Sequence, residues 1–109
     1  MEIDCDFNLY EIECIDQVED LIQKEENLNG FCVTMPYKEK ILSYLNTLSP
    51  TAKACGNVNC VKIIRQNNNI ELQGYNTDAF GFEYSLLNQL NIQEINQAYI
   101  LGSGGVSKT

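Results

Sequence analysis

Lys38 is the residue in this sequence best suited to acid–base work, and its setting is specific. It closes the run Asn29-Gly30-Phe31-Cys32-Val33-Thr34-Met35-Pro36-Tyr37-Lys38, in which an apolar stretch gives way to a hydroxyl, a proline and an amine. Strand ends beside a helix N-terminus are where open α/β sheets bind ligands. Thr34 would offer a hydroxyl there, and Lys38 a cation. Spacing alone leaves a plainer reading open, with Thr34 capping a helix and Lys38 solvated, as most lysines are. The second run is Gly74-Tyr75-Asn76-Thr77-Asp78. Asp78 either caps the helix that follows or faces the same cleft as Lys38. In the second case its carboxylate would hold and orient the ammonium as a proton donor to a carbonyl oxygen.

Two further runs could position a ligand. In Cys55-Gly56-Asn57-Val58-Asn59-Cys60-Val61, Gly56 ends a helix and Asn59 opens a strand with an amide donor and acceptor. A turn asparagine is the plain alternative. Gly102-Ser103-Gly104-Gly105-Val106-Ser107 follows an apolar stretch at residues 98–101. Its spacing is G-x-G-x-x-S, with Ser107 in place of the third glycine of a dinucleotide fingerprint. Such glycines let backbone approach a pyrophosphate at a helix N-terminus. Four residues follow Gly105, far short of the ~12 at which an isolated helix becomes marginal. The expectation is a motif without its fold.

Composition narrows the chemistry. There is no histidine, so the commonest general base and zinc ligand are both absent and no metal site is expected. The five cysteines are odd in number and lack Cys-x-x-Cys spacing, against a disulfide scaffold or zinc site. Cys14, Cys32, Cys55 and Cys60 sit in or beside apolar stretches and read as small buried hydrophobes. The net charge is −8, which argues against nucleic acid and anionic membrane as partners. Ten of the fifteen acids lie in residues 1–26, leaving five acids and six bases beyond them, so the remainder can still attract a small anion. No apolar run approaches the ~18 residues of a membrane span, and Met1-Glu2-Ile3-Asp4 lacks a signal-peptide pattern. The cytoplasm is the expected compartment.

The elements that would carry these residues alternate between strand and helix. Residues 9–14 read as a strand with Tyr10, Ile12 and Cys14 on one face. Asp16 is placed to cap a helix that turns Val18, Leu21 and Ile22 inward, with Glu19 completing a capping box. Residues 31–33 read as a buried strand, and Pro36 as the first turn of a helix carrying Ile41, Leu45 and Leu48. Ser49-Pro50 starts a short helix through Cys55. Residues 59–64 and 70–74 form two strands around the turn at Asn67-Asn68-Asn69. A helix after Asp78 has Phe80, Tyr84 and Leu87 as its inner stripe, and residues 98–101 form a last buried strand. The fold class is α/β, a three-layer sandwich with a mostly parallel sheet and one antiparallel pair around residues 59–74.

Taken in order, the four runs resemble the shikimate dehydrogenase family. Its pattern is Asn-Val-Thr-x-Pro-x-Lys, then Gly-Ala-Val-Asn-Thr, then Gly-x-Asn-Thr-Asp, then Gly-x-Gly-Gly-Ala. The similarity runs from about Leu9 to Ser107. The resemblance implies NADP-dependent interconversion of 3-dehydroshikimate and shikimate, in aromatic amino-acid biosynthesis. It makes Lys38 the proton-exchanging lysine and Asp78 its partner. Thr34, Asn59 and Asn76 become substrate-binding residues, and Gly102, Ser103, Gly104 and Gly105 the cofactor loop. It divides the chain into a substrate-binding domain over 1–78 lacking its first strand and helix, a connector over 79–96, and the start of an NADP-binding Rossmann domain over 97–109.

The chain departs from the family at Cys32 (usually asparagine), Cys60 (usually threonine) and Asn57 (usually alanine). The serine-containing opening strand, the segment that reads the 2′-phosphate and a late glutamine have no counterpart here. The chain is therefore expected to be an inactive fragment. The alternatives are a quinate/shikimate dehydrogenase, a methylenetetrahydrofolate dehydrogenase, which the Gly-Tyr-Asn-Thr-Asp loop speaks against, and a non-catalytic module that self-associates through open sheet edges.

Overall fold

A computed structural model describes residues 3–109; Met1 and Glu2, the start of the acidic stretch, lie outside them. The clearest local instruction is at Asn67 and Asn68, which take φ values of 49° and 64°. Asparagine tolerates this left-handed region, and two such residues in succession make the tight turn that suits paired strands. Strands β1 (Gly30–Cys32), β2 (Thr47–Leu48), β3 (Cys60–Gln66) and β4 (Asn69–Tyr75) form one sheet in the order β1-β3-β4-β2. The two-residue turn forces β3 and β4 antiparallel, in register from Cys60 opposite Tyr75 to Gln66 opposite Asn69. β1 is also antiparallel to β3, and only β2 runs parallel to its neighbour β4. The sheet is therefore mixed, which corrects the expectation of a mostly parallel one.

The helices are α1 (Gln17–Lys24), α2 (Pro50–Cys55) and α3 (Asp78–Gln89), with short 3-10 turns at Lys40–Tyr44, Ile92–Glu94 and Gly105–Lys108. α2 follows its local signals closely. Ser49 Oγ accepts the Ala52 N–H at 3.1 Å, Pro50 fills the first turn, and Gly56 leaves the helix at φ 65°. The core gathers Val18 and Ile22 of α1, Val33, Ile41, Ala52 of α2, Val58, and Val61, Ile63 and Leu72 of the hairpin. Val61 and Ile63 alternate with the exposed Lys62, the period-two pattern of a strand with one face covered. Gly74 lies beneath that cover. A Cβ there would stand 2.5 Å from Leu45 Cδ1 and 2.8 Å from Val58 Cγ2, so only glycine lets these side chains close on the sheet.

Several expected elements are absent for identifiable reasons. Residues 9–14 form no strand, because no neighbouring strand receives their backbone; Leu9 is exposed, and Tyr37 Oη donating to the Ile12 carbonyl at 3.1 Å holds the segment. Pro36 opens no helix. It follows a cis peptide bond, and Ile41 sits in a short 3-10 turn while Leu48 joins β2. Asn46 explains this outcome. Its side chain accepts the Leu72 N–H at 2.7 Å and its own N–H donates to the Leu72 carbonyl at 2.9 Å. This clamp holds the chain extended against β4 and overrides the helical spacing.

Asp16 stands at the N-cap position of α1 without making a cap bond, and no capping box with Glu19 forms. Its carboxylate instead accepts from the Tyr44 hydroxyl, which that hydrogen bond pushes up to about 12. β1 is an edge strand in which Phe31 is half-buried and Cys32 exposed, so the 31–33 run is buried only at Val33. Cys14 is exposed too, which corrects its reading as a small buried hydrophobe, whereas Cys55 is buried.

α3 begins at Asp78, with Thr77 at the N-cap position, so Asp78 is the first residue of the helix rather than its cap, and the helix buries none of its residues. Phe80, Tyr84 and Leu87, expected to face inward, are 70%, 64% and 59% exposed. Residues 98–101 join no sheet, and Leu101 is 98% exposed. The strand expected to open a Rossmann domain is thus not built, because no second strand lies beside it to pair with. Among the described residues no helix is long and apolar enough to cross a membrane.

Candidate active site

The loop after β1 is positioned by its own backbone. The Thr34 carbonyl accepts the Tyr37 N–H and the Tyr37 carbonyl accepts the Ile41 N–H, both at 2.9 Å. The buried Ile41 side chain then anchors the segment in the core. Between these points the Lys38 carbonyl accepts the Val58 N–H at 2.8 Å. Since Val58 is fully buried, the stem of Lys38 starts from a fixed place.

That placement turns Lys38 toward the start of α3. Its Nζ donates to Asp78 Oδ2 at 2.6 Å across 40 residues of sequence. The other carboxylate oxygen, Oδ1, accepts from Asn59 Nδ2 at 2.7 Å. Asn59 is fixed in turn by Thr77, whose N–H reaches Asn59 Oδ1 at 2.9 Å and whose Oγ1 accepts from Nδ2 at 2.9 Å. The Lys38 side chain is 17% exposed and that of Asp78 39%, so both are partly withdrawn from solvent yet reachable by a ligand. An ammonium carries three donors and each carboxylate oxygen can accept more than one hydrogen. The pair therefore keeps capacity for a ligand hydroxyl or carbonyl oxygen, and Lys38 can pass a proton to it.

The structure brings Lys38, Asp78 and Asn59 into direct contact. Thr34 lies exposed at the mouth of the same loop. Asn76 is different: it is 5% exposed, its Oδ1 accepts the Ala79 N–H at 3.0 Å and its Nδ2 donates to Asn57 Oδ1 at 2.6 Å. Asn76 thus satisfies the first turn of α3, which leaves the Asp78 carboxylate free to meet Lys38.

Beneath it, Asn57 is fully buried, and its Nδ2 reaches the carbonyl of Gly105 at 3.1 Å and Thr109 Oγ1 at 3.3 Å. The sequence marks it only as an asparagine where the family usually has alanine. The signal is burial of a polar side chain, which demands partners. Asn57→Ala is expected to lower the unfolding free energy by about 1–3 kcal/mol, because the buried Asn76 amide loses its 2.6 Å acceptor and keeps only the Asn57 backbone carbonyl at 3.5 Å. Urea unfolding measures this, and an unchanged midpoint contradicts it.

The glycine segment packs beside the Lys38 loop, where Lys108 Nζ meets Glu39 Oε1 at 3.0 Å. It does not form a dinucleotide cradle. Gly102 takes φ 110°, and a Cβ added at Gly102 or Gly104 would meet nothing within 4 Å. Gly105–Lys108 is a single 3-10 turn, too short to present a helix N-terminus to a pyrophosphate. Gly102, Ser103, Gly104 and Gly105 as arranged here do not fit a bound nicotinamide dinucleotide.

Comparison with known proteins places the chain by similarity along its length. Residues 1–61 match the family profile described as the shikimate dehydrogenase substrate binding domain. Shikimate dehydrogenase (NADP(+)) of Staphylococcus haemolyticus is 44% identical over 87 residues, covering 80% of this chain and 31% of the relative. The crystal structure of shikimate dehydrogenase 1 from Peptoclostridium difficile matches 91% of this chain and 36% of that one, at 39% identity and a TM-score of 0.70. Shikimate 5-dehydrogenase from Listeria monocytogenes, solved in complex with shikimate and NAD, matches 72% of this chain and 26% of its own at 33% identity and a TM-score of 0.58. The chain spans about a third of the length of the curated relatives it matches. Through the profile match over residues 1–61 and its likeness to these relatives, this chain belongs to the shikimate dehydrogenase family.

Proposed function

We propose that this chain is the substrate-holding part of an NADP-dependent shikimate dehydrogenase that interconverts 3-dehydroshikimate and shikimate in the cytoplasm. The observation that carries the reading is the contact between Lys38 Nζ and Asp78 Oδ2 at 2.6 Å, with Asn59 on the other carboxylate oxygen. In reduction of the ketone, Lys38 gives a proton to the oxygen that becomes a hydroxyl, and in oxidation it takes that proton back. Asp78 holds the ammonium in place and accepts from a neighbouring ring hydroxyl. Thr34 and Asn59 bind further hydroxyls, and Asn76 completes the substrate-binding set by holding the loop that presents Asp78. NADP supplies the hydride chemistry in the whole protein.

Residues 1–78 serve as the substrate-binding domain, 79–96 as a connector and 97–109 as the beginning of the cofactor domain. Because the glycine segment forms no cradle here, the 109-residue chain binds substrate without turning it over. Titration calorimetry with shikimate and with quinate, beside an NADP reduction assay, tests this. The expected result is saturable heat with shikimate, less with quinate, and no NADPH. NADPH formation by the purified chain contradicts the fragment reading. Stronger binding of quinate favours a quinate/shikimate dehydrogenase. A second reading, a self-associating module, is supported by the exposed Phe80, Phe82, Tyr84 and Leu87 of α3. It predicts a dimer by sedimentation and no heat with either ligand.

A further inference from the structure

Cys32 and Cys60 stand directly opposite each other in the β1–β3 pairing. The ladder bonds beside them run from the Val33 N–H to the Asn59 carbonyl at 2.8 Å and from the Ile63 N–H to the Asn29 carbonyl at 2.9 Å. Bonded and non-bonded pairs alternate in an antiparallel ladder, so Cys32 and Cys60 occupy a non-hydrogen-bonded pair. Opposed Cα atoms there approach to about 4.5 Å and their side chains share a face. That spacing lies within the roughly 4.4–6.8 Å that a disulfide requires. Both residues lie on the face of the sheet away from the Val61 and Ile63 core, so a bond between them displaces no packed side chain.

The two thiols are not equivalent. Cys32 is exposed, whereas Cys60 is half-buried and held above its ordinary thiol value, first by burial and then by the adjacent Cys32. A shallow hollow of about 310 Å³ lies over them, bordered by Phe7, Gly30, Cys32, Cys60 and Lys62. Gly30 stands opposite Lys62 at one end of the hollow. Lys62 puts a cation beside it, which suits an anionic reagent.

We propose that Cys32 and Cys60 are a modification site, a thiol pair that closes reversibly into a cross-strand disulfide by exchange with a small anionic disulfide. The exposed Cys32 thiolate attacks one sulfur of the external disulfide and expels its first thiolate, leaving a mixed disulfide on Cys32. The Cys60 thiolate then attacks the Cys32 sulfur and expels the second. Two protein thiols are oxidised, one external disulfide is reduced to two thiols, and the two protons pass to the leaving groups. The bond ties the strand that leads into Thr34 to the strand that follows Asn59, so it fastens the two walls of the candidate site.

The folded full chain is treated with glutathione disulfide, alkylated, digested with trypsin and mapped by mass spectrometry. The expected product joins the peptide of residues 25–38 to that of residues 54–62, lighter by two hydrogen atoms, with Cys5 and Cys14 alkylated. Because residues 54–62 also contain Cys55, variants assign the bond. Cys55→Ser keeps the link, while Cys60→Ser loses it and accumulates a glutathione adduct on Cys32. Dithiothreitol restores alkylation of both cysteines. A wild-type chain that retains the Cys32 adduct unresolved, or that links through Cys5, Cys14 or Cys55, overturns the proposal. Fragment ions that break the wild-type product between Cys55 and Cys60 assign the bond as well, so a misfolded variant does not decide it.

Discussion

Lys38→Met is expected to weaken shikimate binding about 10- to 100-fold while moving the unfolding midpoint little. The side chain is 17% exposed and donates to Asp78. In the proposed complex it also donates to the oxygen at the reacting carbon. A hydrogen bond from a charged donor contributes roughly 1.5–3 kcal/mol, and about 1.4 kcal/mol corresponds to tenfold in affinity. Stability behaves differently. Asp78 is more than a third exposed, and ion pairs so placed contribute only about 0–1 kcal/mol. Asp78→Asn should lose affinity by the same route, since a neutral amide neither orients the ammonium nor accepts a hydroxyl as strongly. The double variant should lose less than the two single losses combined, because the groups act as one unit. Calorimetry on the four proteins measures this, and additive losses would mean that the two side chains meet the ligand separately.

Ile41→Ala should show the reverse pattern, a large loss of stability with ligand contacts left in place. Ile41 is 1% exposed and belongs to the cluster formed by Val18, Ile22, Val33, Val58 and Val61. Truncation of a buried isoleucine costs about 2–5 kcal/mol, from lost transfer energy and the cavity left behind. That is a major share of the roughly 5–15 kcal/mol that holds a domain folded. The Ile41 N–H bonds the carbonyl of Tyr37, four residues earlier and next to Lys38, and truncation leaves this backbone bond intact, so the folded fraction keeps its ligand contacts. In urea unfolding the midpoint should fall with an unchanged slope. Ile41→Val should cost only about 0.5–1.5 kcal/mol. A midpoint unmoved by the alanine substitution would show that this loop is not anchored through the core.

The parts of the fold that were legible in the sequence are those encoded locally. The Asn67-Asn68 turn, the Ser49 cap with Pro50 and the Gly56 exit each carry their own conformational reason, so the hairpin and α2 follow from a few residues. The failures lie where a distant partner decides. The spacing of Ile41, Leu45 and Leu48 reads as helix until Asn46 is seen clamped to Leu72. The alternation in residues 9–14 and the apolar stretch at 98–101 have strand character, but a strand forms only beside another, and among the described residues none lies next to them.

The site shows the same division. Motif order brought Lys38, Asp78 and Asn59 together as a group, whereas spacing alone could not join two residues 40 apart. Asn57 stands out in the sequence only as a departure from the family's usual alanine, because its role depends on complete burial beneath Asn76. The resemblance sets Asn76 among the substrate-binding residues, and its side chain bonds Asn57 and the Ala79 N–H.

The most direct test of a shared Lys38–Asp78 site uses the chain labelled with carbon-13 at lysine Cε and aspartate Cγ, with shikimate added stepwise. The account predicts that the Lys38 and Asp78 signals move together along one saturation curve, while those of Lys53 and Asp20, which lie outside the site, stay still. Movement of only one of the pair, or of neither at saturating ligand, would contradict it.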